Sequence, residues 1–146
     1  PRPADLRAEL PAVPAVSAGD FDVFLAKGRQ MPRVLDEIGR LREITFREVG
    51  EGTGKSRDLD EFDSYYTHVV LWHRDKAEIA GAYRLGLLSA ILRERGPRGL
   101  YTSTLFDYQP GFFASLGPAV ELGRSFIRAE YQKGFQPLLL LWKGIG

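Results

Sequence analysis

A chain of 146 residues with 44% hydrophobic and 27% charged residues is long enough to close one core and reads as a single folded unit. Twenty Lys and Arg against nineteen Asp and Glu leave a formal charge of +1, so no whole-chain excess of positive charge argues for nucleic acid. The absence of Cys removes disulfides, a thiolate nucleophile and Cys-ligated zinc; the two His, His68 and His73, are too few for a His cluster, and no metal is expected.

In chain order, residues 1–20 hold Pro1, Pro3, Pro11 and Pro14 among Ala and Val, a composition that resists helix and reads as a Pro/Ala-rich tail or linker, with the folded domain running over residues 21–146. After Pro32, the residues Val34, Leu35, Ile38, Leu41, Ile44 (or Thr45) and Val49 recur at three- and four-residue steps and predict an amphipathic helix. Three glycines in residues 50–54 end it. The run Gly50-x-Gly52-x-Gly54-Lys55-Ser56 only imitates a phosphate loop, which needs four residues between its glycines, a preceding strand and a following helix.

Residues 67–72 and 78–85 are β-favouring runs around the polar turn 73–76 and predict an antiparallel hairpin. A short helix is predicted over 87–95, stopping at Gly96-Pro97, and a Tyr- and Thr-rich strand over 99–106. One or two helical turns are expected at 112–116, then a strand at 120–128, and a greasy helix beginning near Pro137. No apolar run reaches the roughly 18 residues that span a bilayer. The pattern is an α+β protein with a mainly antiparallel sheet flanked by helices.

Charged residues inside these elements are the candidates for chemistry. Arg42 and Phe46 share a helical face, and the spacing alone reads as a solvated Arg beside a core Phe. Asp58, Asp60, Glu61 and Asp63 form an acidic loop that is either hydrated surface or a cation-binding pocket. Arg84 in a half-buried strand needs a carboxylate partner, with Asp60, Asp63 and Glu121 available; a structural ion pair and a ligand-binding group are equally open. In the strand 120–128, Glu121 and Arg124 fall on opposite faces unless Gly123 marks a bulge that re-aims one of them.

The order Arg42-x-x-x-Phe46, Asp60-Glu61-Phe62-Asp63, Gly81-Ala82-Tyr83-Arg84-Leu85 and Glu121-Leu122-Gly123-Arg124-Ser125 resembles the acyl-homoserine-lactone synthases. It resembles still more the ornithine-lipid and hemolysin-like N-acyltransferases of the GNAT superfamily, over residues 31–146. The resemblance implies a GNAT-like fold, truncated here at its C-terminus, in which a fatty acyl group passes from an acyl carrier protein thioester to the amine of an amino acid or amino-lipid precursor. It implies Glu121 as general base and Arg42, Phe46, Asp60, Asp63, Arg84 and Arg124 around the acceptor. The donor would run along Ser125, Phe126, Ile127, Arg128, Lys133 and Gly134, where strand amides face the thioester oxygen. Residues 130–136 lack the full Arg/Gln-x-x-Gly-x-Gly/Ala pattern, so acyl carrier protein is expected as donor before acyl-coenzyme A, with no resident cofactor.

The same resemblance implies a cytoplasmic protein, in peripheral contact with the inner membrane, with a second acyltransferase domain in the parent chain. Two rivals are set against it. An acyl-homoserine-lactone synthase would consume S-adenosylmethionine and release a lactone. A non-catalytic binding or regulatory module would use the charged set only as a structural ion-pair network.

Overall fold

The structure is a computed structural model that describes residues 2–48, 50, 52–104 and 120–132. A five-stranded antiparallel sheet runs in the order β1 (Val16–Ala18), β2 (Phe21–Lys27), β3 (Thr67–His73), β4 (Glu78–Leu87) and β5 (Val120–Ile127), each strand beside its sequence neighbour. Among the described residues three α-helices accompany it: α1 (Pro3–Glu9), α2 (Pro32–Glu48) and α3 (Leu88–Arg95). This is the α+β, mainly antiparallel architecture that the sequence pattern predicts.

Residues 2–20 do not form a tail or linker. Pro3 opens α1 at a position where its missing N–H costs nothing, and α1 seats Leu6 and Leu10 in the core beside Met31, Val34 and Ile38. Glu9 then caps α2, its carboxylate accepting from the amides of Arg33 at 3.1 Å and Val34 at 2.7 Å. Composition reads the prolines correctly as helix breakers, but burial of two leucines and this cap outweigh them.

Two core layers sandwich the sheet. Phe24, Val70, Trp72, Ala82 and Phe126 face α1 and α2, while Phe21, Val23, Val69, Leu71 and Tyr83 point the other way, as the period of two requires. A third cluster of Phe62, Tyr66, Leu88, Ile91 and Leu100 fills the end of the sheet near α3.

The α2 helix departs from its expected stripe. Val34, Ile38 and Leu41 are buried, but Ile44 is 45% exposed and the face continues instead through Arg42, which is fully buried. The solvated-Arg reading is therefore wrong, and the reason is the loop that follows. Gly39 lets residues 58–60 cross α2 closely: a Cβ there would meet Leu59 Cγ at 2.6 Å, and the Asp58 amide donates to the Gly39 carbonyl at 2.9 Å. The acidic loop is thereby laid over the helix, where it meets Arg42.

The hairpin β3–β4 forms with the predicted turn, and α3 matches the predicted short helix. The strand predicted over 99–106 does not form among its described residues. Pro97–Gly99 and Tyr101–Thr104 are 3₁₀ turns, a backbone that β-propensity alone cannot foresee. The turns expected at 112–116 and the helix near Pro137 lie outside the described residues.

Candidate active site

The strand β5 carries the irregularity that shapes the site. Its register on β4 jumps from Ala82↔Phe126 to Arg84↔Gly123, so Arg124 and Ser125 together oppose Tyr83. Arg124 sits at φ 53°, the left-handed region that a non-glycine residue adopts at a cost. The bulge expected near Gly123 is thus centred one residue later, and it brings Arg124 and Glu121 to the same cleft.

That cleft has a volume of about 560 Å³. Its walls are Glu121 to Ser125 of β5, Arg84 of β4, and Tyr101 and Thr102 of the 3₁₀ turn, closed on the other side by Phe46, Thr53 and Asp58.

Three arginines and three aspartates form an alternating ladder at its base. Asp63 Oδ1 accepts from Arg42 Nη1 at 2.8 Å and Arg84 Nη1 at 3.3 Å; Arg84 Nη1 donates to Asp60 Oδ1 at 2.7 Å. Arg124 then joins Asp60 Oδ2 at 3.3 Å and pairs with Asp58. Exposure rises along the ladder, with side-chain values of 0% for Arg42, 1% for Arg84 and 22% for Arg124. Only the last of the three arginines is open to a ligand.

Burial pushes the Asp63 carboxyl up, but the Arg42 and Arg84 charges and the Asp60 amide outweigh it, leaving Asp63 below the ordinary carboxylate range. Desolvation lowers Arg42 despite Asp63, whereas for Arg84 the bonds to Asp60 and Asp63 overcome the same desolvation and raise it. Beneath the ladder, fully buried His68 approaches the Asp63 carbonyl with Nε2 at 2.8 Å, and desolvation first of all drops its pKa to about 4. The Arg84 guanidinium also lies over the rings of Tyr66 at 5.3 Å and Tyr101 at 4.9 Å.

Glu121 is held differently from every carboxylate of the ladder. Its Oε1 accepts from the Tyr66 hydroxyl at 2.5 Å, and its Oε2 from the Thr102 amide at 3.1 Å and hydroxyl at 2.6 Å. Among the described residues no Lys or Arg makes an ion pair with it. Of the three candidate partners for Arg84, Asp60 and Asp63 take it and Glu121 does not.

The Gly-rich loop is fixed to α2 by a second buried acid. Glu43 accepts from the Thr53 hydroxyl and amide, the Gly54 amide and Arg47, and these bonds, the Thr53 hydroxyl foremost, hold its pKa at about 2. Thr53 is thereby kept in the cleft wall.

The structure brings Arg42, Phe46, Asp60, Asp63, Arg84, Glu121, Arg124 and Ser125 to the cleft or the ladder directly under it. It turns three others away. Phe126 packs in the core, Ile127 lies against the opposite layer, and Arg128 pairs with Glu78 and Glu130 while its amide donates to Ala80 at 2.8 Å. Lys133 and Gly134 lie outside the described residues. Tyr66, Thr102, Glu43 and Thr53 also belong to the site, and no local sequence pattern marks them; Asp58 lies within the acidic run, which does not distinguish it from its neighbours.

Comparison with known proteins identifies the family of the fold. The chain matches the family described as "Acetyltransferase (GNAT) domain" over residues 41–143. It is 40% identical over 136 residues to a protein of Phocaeicola vulgatus named "Glycine N(alpha)-acyltransferase", covering 86% of this chain and 42% of that relative. A protein of the same name from Bacteroides thetaiotaomicron is also 40% identical over 136 residues, covering 85% of this chain and 40% of its own length. The chain therefore spans about two fifths of the length of the curated relatives it matches. No solved structure matches it.

Proposed function

This chain belongs to the GNAT acetyltransferase-domain family, and on that premise we propose that it is the amine-acylating part of an N-acyltransferase whose acceptor is glycine or a similarly small amino acid. The observation that carries the reading is Glu121. Among the described residues three arginines match three aspartates in the ladder, so the cleft keeps one further carboxylate, and that carboxylate meets only neutral donors there. A net negative cleft attracts an ammonium group.

The steps follow from this placement. The acceptor ammonium gives one proton to Glu121, directly or through a water, and becomes a nucleophile. Its nitrogen attacks the thioester carbonyl, and the charge that develops on oxygen is met by backbone N–H groups of the Arg124–Ser125 bulge, where the ladder with β4 is broken. The C–S bond then breaks, the nitrogen loses its second proton, and the departing thiolate takes up a proton.

Arg124 is the arginine that reaches the acceptor's carboxylate, because it is the exposed one; its guanidinium fork suits a carboxylate. Arg42 and Arg84 hold Asp63 and Asp60 in place and do not touch substrate. Phe46 and Thr53 close the cleft on the acceptor side, which favours a small side chain. The donor is a fatty acyl thioester on acyl carrier protein or coenzyme A, approaching from the β5 side, with any contact to a membrane face made through the lipid product.

The test incubates the full-length protein with long-chain acyl carrier protein or acyl-coenzyme A and a panel of amines that includes glycine, alanine and ornithine, with products read by mass spectrometry. N-acylglycine as the main product supports the reading. Acylation of ornithine in preference to glycine would move the acceptor to the amino-lipid branch, and a lactone product would move it to the homoserine-lactone synthases.

A further inference from the structure

The Tyr66 ring crosses the sheet edge through a gap made for it. Gly86 of β4 stands opposite Glu121 of β5, and a Cβ on Gly86 would lie 2.8 Å from Tyr66 Cε2 and 3.0 Å from Cζ. With no side chain there, the ring passes over β4 and its hydroxyl reaches the carboxylate on the neighbouring strand. The ring is 1% exposed and packs with Phe62, Leu88, Ile91 and Leu100.

The direction of the hydrogen bond is settled by a third group. The Tyr101 amide donates to the Tyr66 oxygen at 2.8 Å, so the phenolic hydrogen is left for Glu121 Oε1, which accepts it at 2.5 Å. Thr102, next in the chain, supplies both donors to Oε2. Of the roughly four acceptor sites of a carboxylate, the described residues fill three and leave one on Oε1.

We propose that Tyr66 is a positioning residue for acyl transfer: its hydroxyl orients Glu121 so that the remaining lone pair of Oε1 faces the acceptor amine. The proposal rests on the reading of Glu121 as general base. Burial and the Glu121 bond both push the phenol itself up, so it stays a donor at neutral pH. The loop of Tyr101 and Thr102 is tied to the same carboxylate, which couples the 3₁₀ turns to the site.

The test compares wild-type, Tyr66→Phe, Gly86→Ala and Glu121→Gln forms of the full-length protein, each checked for folding by circular dichroism. The readout is the split between kcat and KM for glycine. Tyr66→Phe keeps the ring and removes one donor; kcat should fall about 10- to 100-fold from misplacement of the base, while KM for glycine changes less than about twofold. Gly86→Ala keeps the hydroxyl but displaces the ring, and kcat should fall in the same way. An unchanged kcat in both variants, or a loss of kcat/KM carried by KM alone, overturns the proposal. Full activity of Glu121→Gln would instead overturn the general-base reading beneath it, so the two failures are distinct.

Discussion

Replacing Asp63 by Asn keeps the shape of the side chain and removes the charge on which the buried ladder depends. Arg42 is fully buried and its only ion-pair partner among the described residues is Asp63, at 2.8 Å; both side chains are 2% exposed or less. Its Nε and Nη2 already lack a hydrogen-bond partner there, and its other acceptor, the Asp58 carbonyl 3.4 Å from Nη1, carries no charge to take the load. Breaking a buried pair by neutralising one member costs about 3–5 kcal/mol because a charge is left without compensation. Arg84 loses less, since Asp60 still holds it at 2.7 Å. For a domain of this length about 2–4 °C is lost per kcal/mol, so the melting temperature should fall by about 6–20 °C. Urea titration gives the same quantity as a lower midpoint at unchanged slope. Adding Arg42→Met to Asp63→Asn should recover more than half of the loss, because an apolar side chain of similar volume needs no partner. A loss below about 1 kcal/mol, the range of exposed ion pairs, would refute the claim that the ladder is a desolvated structural unit.

Other consequences are smaller and separable. Arg124→Lys replaces the fork that spans Asp58 and Asp60 by a point charge; KM for glycine should rise about tenfold, with little change for ethylamine, which has no carboxylate to be read. The neutral, buried His68 titrates near pH 4 when folded and near 6.5 when unfolded, so the unfolded chain binds the extra proton between these values and stability should fall as pH drops from 6.5 toward 4. His68→Phe should flatten that part of the stability profile measured by denaturant titration. Glu43 has a depressed pKa of about 2 against 4.5, so its contribution is present above pH 4.5 and is lost as pH falls through 2. Glu43→Gln should weaken that acid dependence and, by releasing Thr53 from the cleft wall, raise KM for the acceptor.

The parts of this protein that the sequence makes legible are those ruled by local physics. The α2 helix declares itself through three- and four-residue spacing, and the β3–β4 hairpin through β-branched residues around a polar turn. The charged candidates Arg42, Asp60, Asp63, Arg84, Glu121 and Arg124 are conspicuous because charge inside an apolar element demands a partner. What stays hidden is what tertiary contact decides. Strand β2, Phe21–Lys27, is buried on both faces because a core layer covers each side of the sheet, so it lacks the clean alternation that would mark it. The N-terminal prolines suggest a linker until Leu6, Leu10 and Glu9 are seen docked on α2. Residues 101–104 carry β-favouring Tyr and Thr, yet their backbone turns to offer amides to Tyr66 and Glu121, a demand set by partners 35 and 19 residues away. The pairing of Arg84 with the loop aspartates, and the bond from Tyr66 to Glu121, are choices among candidates that only the fold can make.

The central claim is that Glu121 takes the proton of the acceptor amine. Its most direct measurement is the single-turnover rate of N-acylglycine formation by folded Glu121→Gln protein, with donor and glycine saturating. Loss of a general base should slow that step about 10²- to 10⁴-fold while glycine still binds. A rate equal to that of the unaltered protein would contradict the account.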